Sequence, residues 1–173
     1  MLFLMGPRQV GKTTLAKMIK KGRHYLYLNW DVLDDRKLIL KGPKAVAESA
    51  DLAIAKSHKP FVIFDEIHKY RQWKTFLKGF YDKYGTLCKI LVTGSARLDV
   101  YQKGGDSLMG RYFAYRIHPF SIAELTAPTI GRIPIRRIPK KISEASFNKL
   151  WICGGYPEPY QKGSKTFLRR WQR

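Results

Sequence analysis

Residues 6–14 read Gly-Pro-Arg-Gln-Val-Gly-Lys-Thr-Thr, and they fit the pattern G-x-x-x-x-G-K-[ST]. Before them stands the apolar run Leu2-Phe3-Leu4-Met5, which has no turn former and suits a short buried strand. After them, Leu15-Ala16-Lys17-Met18-Ile19 places apolar groups at helical spacing. A strand, a glycine loop and a helix in this order make a phosphate cradle. Gly6 and Gly11 let the backbone take conformations that a Cβ would forbid, so its N–H groups approach phosphate oxygens closely. The helix start near Lys12 adds a partial positive charge. Lys12 is placed to reach terminal phosphates and Thr13 to offer a hydroxyl to Mg²⁺. The whole stretch Gly6, Pro7, Arg8, Gln9, Val10, Gly11, Lys12, Thr13 and Thr14 is the expected nucleotide-binding segment.

Such a loop needs a carboxylate to hold the metal and a second group to activate water. Asp65-Glu66 directly follows the apolar run Phe61-Val62-Ile63-Phe64. In a parallel sheet that strand ends at the same rim as the glycine loop, so both carboxylates are expected to face a bound nucleotide. Asp65 is the expected metal residue, acting through water, and Glu66 the expected acceptor of the attacking water's proton. Thr93-Gly94-Ser95 closes the next apolar run at that rim. Ser95, and after it Thr93, are candidates to hydrogen-bond the water or the terminal phosphate. Arg97 and Arg111 are candidate arginine fingers, supplied in cis or to a neighbouring subunit.

Asp65-Glu66-Ile67-His68 also spells a helicase-type D-E-x-H. Gln9 replaces the extra glycine of such loops, and 173 residues leave no room for a second motor domain. No Asn-Lys-x-Asp sequence is present to read guanine. The histidines at 24, 58, 68 and 118 form no metal pattern.

Along the chain, His24–Asn29 reads as a strand and 34–40 as a mixed-charge segment. Lys44–Lys56 reads as a helix stopped by Lys59-Pro60. Trp73, Phe76, Leu77, Phe80 and Tyr81 recur at three-and-four spacing, predicting a helix that packs one face and ends at Gly85. Lys89–Thr93 and Arg111–His118 complete five strands. Ser121 with Glu124 forms a capping box. Strands alternating with helices predict α/β architecture, a parallel sheet with helices on both faces.

Beyond Leu125 the character changes. Thr126–Lys141 is rich in Pro, Gly and Arg and reads as a basic linker or loop. Ser143–Trp151 reads as a helix, Gly154–Pro159 as a turn, and Ser164–Arg173 as the start of a basic, aromatic helix. The expected division is therefore a core at 1–125, a linker at 126–142 and a helical, lid-like part at 143–173.

The chain carries 33 Lys and Arg against 13 Asp and Glu, a formal charge of +20. Eleven basic and two acidic residues fall between Thr129 and Arg173. Such a field favours polyanions, so nucleic acid or an acidic protein surface is a candidate partner. No run reaches the ~18 apolar residues of a membrane span, and the opening residues lack the basic segment of a signal peptide. Cys88 and Cys153 lack metal-type spacing, and a reducing, cytoplasmic setting accounts for them simply.

Taken in order, Gly6–Thr14, Phe64-Asp-Glu-Ile-His-Lys69, Leu91-Val-Thr-Gly-Ser-Ala96, Leu108-Met-Gly-Arg111, His118-Pro-Phe-Ser-Ile-Ala-Glu124 and Gly154-Gly-Tyr-Pro-Glu158 resemble one family. It is that of the bacterial and archaeal AAA+ P-loop ATPases whose longer members carry a C-terminal DUF4143 domain. The resemblance implies a three-layer P-loop NTPase fold of the AAA+ (ASCE) type, with sheet order 5-1-4-3-2. It also implies ATP and Mg²⁺ as ligands, Lys12 and Thr13 on phosphate and metal, and Asp65 and Glu66 as the acidic pair. Ser95 would lie near the sensor position, and Arg111 matches a Gly-Arg motif. Assembly into a homo-oligomer is compatible with this class. Members extend beyond both ends of the present chain, which is expected to be a fragment with an incomplete lid and conditional hydrolysis. A nucleotide-binding, non-hydrolysing nucleic-acid module is the alternative.

Overall fold

The computed structural model describes residues 1–19, 24–54, 58–94, 108–126 and 140–172. The chain divides into two compact units, Met1–Ile117 and His118–Arg173. The first ends ahead of the boundary read at 125.

Unit one is built on five parallel strands: β1 (Leu2–Met5), β2 (Tyr25–Asn29), β3 (Phe61–Asp65), β4 (Lys89–Gly94) and β5 (Phe113–Arg116). Their order across the sheet is β2-β3-β4-β1-β5, the expected order read from the opposite edge. All four pairings are parallel, with Asn29 opposite Asp65, Asp65 opposite Thr93, and Met5 opposite Gly94. The residues at the strand ends that carry chemistry thus share one rim. β1, β3 and β4 are the apolar runs, as strands covered on both faces must be.

Helix α1 (Lys12–Ile19) covers one face, where Ala16 meets Leu4, Ile63 and Leu91. The other face carries α2 (Leu33–Leu40), α3 (Pro43–Ser49) and α4 (Trp73–Tyr84). There Phe3, Leu28, Val62, Phe64 and Val92 pack against Ile39, Val46, Leu77 and Phe80. Phe64 meets the Phe76 and Phe80 rings edge-on at 5.6 and 5.4 Å. The stripe at 73, 76, 77 and 80 is the buried face of α4, and Gly85 N–H closes the helix on the Tyr81 carbonyl.

Three local expectations are corrected. The mixed-charge segment at 34–40 is helix α2, which opens with Asp34 and Asp35 where the helix N-terminus favours acids. Only Ile39 of it is buried, so its apolar periodicity is faint in the sequence. The helix expected to run to Lys56 stops at Ser49, because Asp51 takes a left-handed conformation (φ 49°) and Leu52 N–H closes on the Ala47 carbonyl. The turn expected at Gly154–Pro159 gives way to α7 (Pro157–Lys162), with Pro157 at the first position, where its missing N–H costs nothing.

Unit two contains α5 (Ile122–Thr126), α6 (Glu144–Cys153), α7 and α8 (Lys165–Trp171). The Ser121–Glu124 capping box forms, with Ser121 N–H on Glu124 Oε2 at 2.8 Å. Ser143 and Ser164 cap α6 and α8 through their hydroxyls. Most of the basic stretch at 126–141 lies outside the described residues. Among those that are described, no helix is long and apolar enough to cross a membrane.

Candidate functional site

The loop between β1 and α1 owes its shape to two glycines acting differently. A Cβ on Gly6 would stand 2.3 Å from the Ile117 carbonyl oxygen, so only glycine lets the loop leave β1 beneath the end of β5. Gly11 has φ +98°, and a Cβ there would meet nothing within 4 Å. Its side of the loop opens to the space a ligand would fill. Gln9 also sits at positive φ (62°), a strained conformation of the kind found at ligand-binding turns. Val10 is buried and anchors the loop, whereas Arg8, Gln9 and Thr14 are exposed. α1 starts at once, with Leu15 N–H bonding the Gly11 carbonyl at 2.9 Å.

Lys12 is 6% exposed and folds back over its own loop. Its Nζ donates to the carbonyls of Gly6 (3.0 Å) and Pro7 (2.6 Å). Burial lowers the pKa of this ammonium, and the facing carboxylates of Glu66 and Asp65 oppose that shift. The loop lysine is thus electrostatically coupled to both members of the acidic pair.

Asp65, at the end of β3, is 1% exposed and receives hydroxyls from three elements. Thr13 at the start of α1 donates to Oδ2 at 2.9 Å. Tyr27 of β2 donates to the same oxygen. Thr93 of β4 donates to Oδ1. Burial and the adjacent Asp65 push the Tyr27 phenol well above its ordinary range, so it remains a protonated donor. Among the described residues no three His, Cys, Asp or Glu cluster as a metal cage. A single carboxylate beside a hydroxyl still fits Mg²⁺, which keeps waters and takes its remaining ligands from phosphate.

Glu66 follows in a left-handed conformation (φ 56°), its N–H on the Thr93 carbonyl at 3.1 Å. Glu66 Oε2 lies 3.4 Å from Lys69 Nζ and 3.8 Å from His68 Nε2. Lys69 is itself held by Asp31 at 2.5 Å, and this bond raises the pKa of the ammonium. Burial lowers the pKa of His68.

Of the expected site residues, the fold gathers Gly6, Gly11, Lys12, Thr13, Asp65 and Glu66 at one rim. Thr93 is there too, but its fully buried hydroxyl is spent on Asp65 and does not face open space. Ser95 and Arg97 lie outside the described residues. Arg111 stands at the opposite rim, corrected from a candidate finger on its own chain's loop. Its carbonyl accepts the Met1 amino group at 2.8 Å, and its Nε pairs with Asp82 of α4 at 2.7 Å.

Tyr27, Lys69 and Asp31 were not expected. The alternation Tyr25-Leu-Tyr27-Leu-Asn29 puts Tyr27 on one strand face with Asn29, and the implied sheet order puts β2 beside β3. Together these were the signal for Tyr27.

A glycine loop and a hydroxyl-ringed aspartate at the C-terminal rim of a β2-β3-β4-β1-β5 parallel sheet define a P-loop nucleotide-binding domain. More narrowly, the chain belongs to the AAA domain family of ATPases, whose family model matches residues 1–126. It is 23% identical over 172 residues to the uncharacterized proteins Mb2031c of Mycobacterium bovis and Rv2008c of Mycobacterium tuberculosis. That match covers 99% of this chain and 33% of each relative, so the chain spans a third of their length.

Solved structures similar in fold include the Aeropyrum pernix ORC1 protein in complex with DNA, with TM-score 0.47 and 12% identity, covering 72% of this chain and 41% of that one. PCH-2 of C. elegans gives TM-score 0.47 and 18% identity, covering 70% and 36%. A STAND-class signal-transduction ATPase of Pyrococcus horikoshii gives TM-score 0.47 and 13% identity, covering 90% and 26%.

Proposed function

We propose that this chain is an ATP-binding core that hydrolyses ATP in the presence of Mg²⁺ and so moves the basic C-terminal part between two positions on a partner. The observation that carries the reading is the hydrogen bond between Thr13 and Asp65. It joins residues 52 positions apart and brings together the two groups that a nucleotide-bound metal requires.

ATP would lie with its phosphates over the loop N–H groups. Lys12 would leave the Gly6 and Pro7 carbonyls for the terminal phosphates. Thr13 and Asp65 would hold Mg²⁺, which would neutralise charge on the phosphate oxygens. Glu66 would accept the proton of the water that attacks the terminal phosphorus, with ADP and phosphate as products. Ser95 is proposed to touch that water or phosphate.

Binding of a fluorescent ATP analogue tests the reading. Lys12→Ala is expected to abolish binding, while Glu66→Gln retains it. Native binding by Lys12→Ala would mean that the loop does not hold phosphate.

A further inference from the structure

Asp65 is held by more than the two residues of the phosphate motif. A carboxylate offers about four lone-pair positions. In Asp65, Thr13 and Tyr27 share Oδ2 and Thr93 takes Oδ1. The Tyr27 ring is itself fixed, since Lys17 of α1 places its ammonium 5.5 Å from the ring centroid and β2 pairs Tyr27 with Ile63 of β3. If the Thr13 hydroxyl shifted to ligate a metal through a lone pair, Tyr27 and Thr93 would still grip one oxygen each and keep the carboxylate plane fixed. Without the phenol, Oδ2 would keep Thr13 as its remaining hydroxyl partner, a group that would move with the metal it ligates, so Asp65 could pivot about its Thr93 bond.

We propose that Tyr27 is the positioning residue of the metal-binding carboxylate: its phenol, opposed by Thr93, holds Asp65 in the orientation from which it meets Mg²⁺. This rests on the reading that Thr13 and Asp65 hold that ion. Residues that orient metal ligands from behind commonly change metal affinity ~10–100-fold when removed.

The test is the affinity of a non-hydrolysable fluorescent ATP analogue, measured with Mg²⁺ and again in EDTA, for the native chain, Tyr27→Phe and Asp65→Asn. Tyr27→Phe is expected to lose about tenfold or more of the Mg²⁺-dependent tightening. Its affinity in EDTA and its melting temperature should stay near native. A native Mg²⁺ effect in Tyr27→Phe overturns the proposal. Equal loss in both media, or loss of the fold, makes Tyr27 a structural residue and overturns it as well. Asp65→Asn separates the two levels: if it keeps the Mg²⁺ effect, the metal reading itself falls, whatever Tyr27→Phe does. Absence of nucleotide binding by the native chain overturns both.

Discussion

Replacing each loop glycine by alanine separates what the fold needs from what the ligand needs. At Gly6 the new Cβ would lie 2.3 Å from the Ile117 carbonyl oxygen, about 1 Å inside ordinary contact. Ile117 cannot retreat freely, because its N–H bonds the Met5 carbonyl at 2.7 Å and ties β5 to β1. Overpacking against backbone and a φ of +158° unfavourable to alanine each cost ~1–3 kcal/mol, so Gly6→Ala should lose about 4 kcal/mol. At Gly11 nothing lies within 4 Å of the added methyl, and the conformational term at φ +98° remains, about 1–2 kcal/mol. For a chain of this size ~1 kcal/mol moves the melting temperature by about 2–4 °C. Gly6→Ala is therefore expected to melt about 8–16 °C below the native chain, and Gly11→Ala about 2–8 °C below. Gly11→Ala should nonetheless lose nucleotide binding, since its methyl projects into the open side of the loop. Thermal melts followed by circular dichroism, paired with a nucleotide titration, measure both. A Gly6→Ala protein melting within about 2 °C of native would refute the close approach to β5 on which the loop's shape depends.

Alkaline pH provides a second check. The buried Cys88 thiol is pushed from an ordinary value of 9.0 to about 11, chiefly by burial. The unfolded thiol ionises first, so folding weakens as pH rises through this window and is unaffected by Cys88 below it. The loss approaches about 2–3 kcal/mol at the upper end, and denaturant melts should show Cys88→Ala losing less over the same range. Arg111→Ala should leave nucleotide affinity unchanged and the melting temperature near native, because its pair with Asp82 is at the far rim and solvated. A tenfold fall in nucleotide affinity would contradict that placement.

The parts of this fold visible in the sequence are those whose signal is local. β1, β3 and β4 are unbroken apolar runs because both faces are covered. α4 shows its spacing because four of its residues enter the core. The loop motif fixes its own geometry, and the acidic pair falls where its strand ends. What stayed hidden depends on partners distant in sequence. Tyr27 reads as ordinary strand packing until β2 is laid beside β3. Thr93 looks like a rim hydroxyl until Asp65 is seen to claim it. Lys69 acquires a role near Glu66 through Asp31, which lies on the turn leading into α2, an element whose single buried residue gives almost no periodicity. Arg111 precedes β5, and in a parallel sheet the start of a strand lies at the rim opposite the phosphate loop, as the pairing of Phe113 with Leu2 shows.

Glu66, which follows Asp65 in a left-handed conformation, is proposed to serve hydrolysis and not nucleotide binding. Single-turnover ATP hydrolysis with Mg²⁺, comparing the native chain with Glu66→Gln, tests it most directly. Expected is conversion of bound ATP to ADP by the native chain and a rate ~10²–10⁴-fold lower in Glu66→Gln at unchanged ATP affinity. Equal rates in the two proteins would contradict the assignment of Glu66, and intact ATP in both would contradict hydrolysis by this chain.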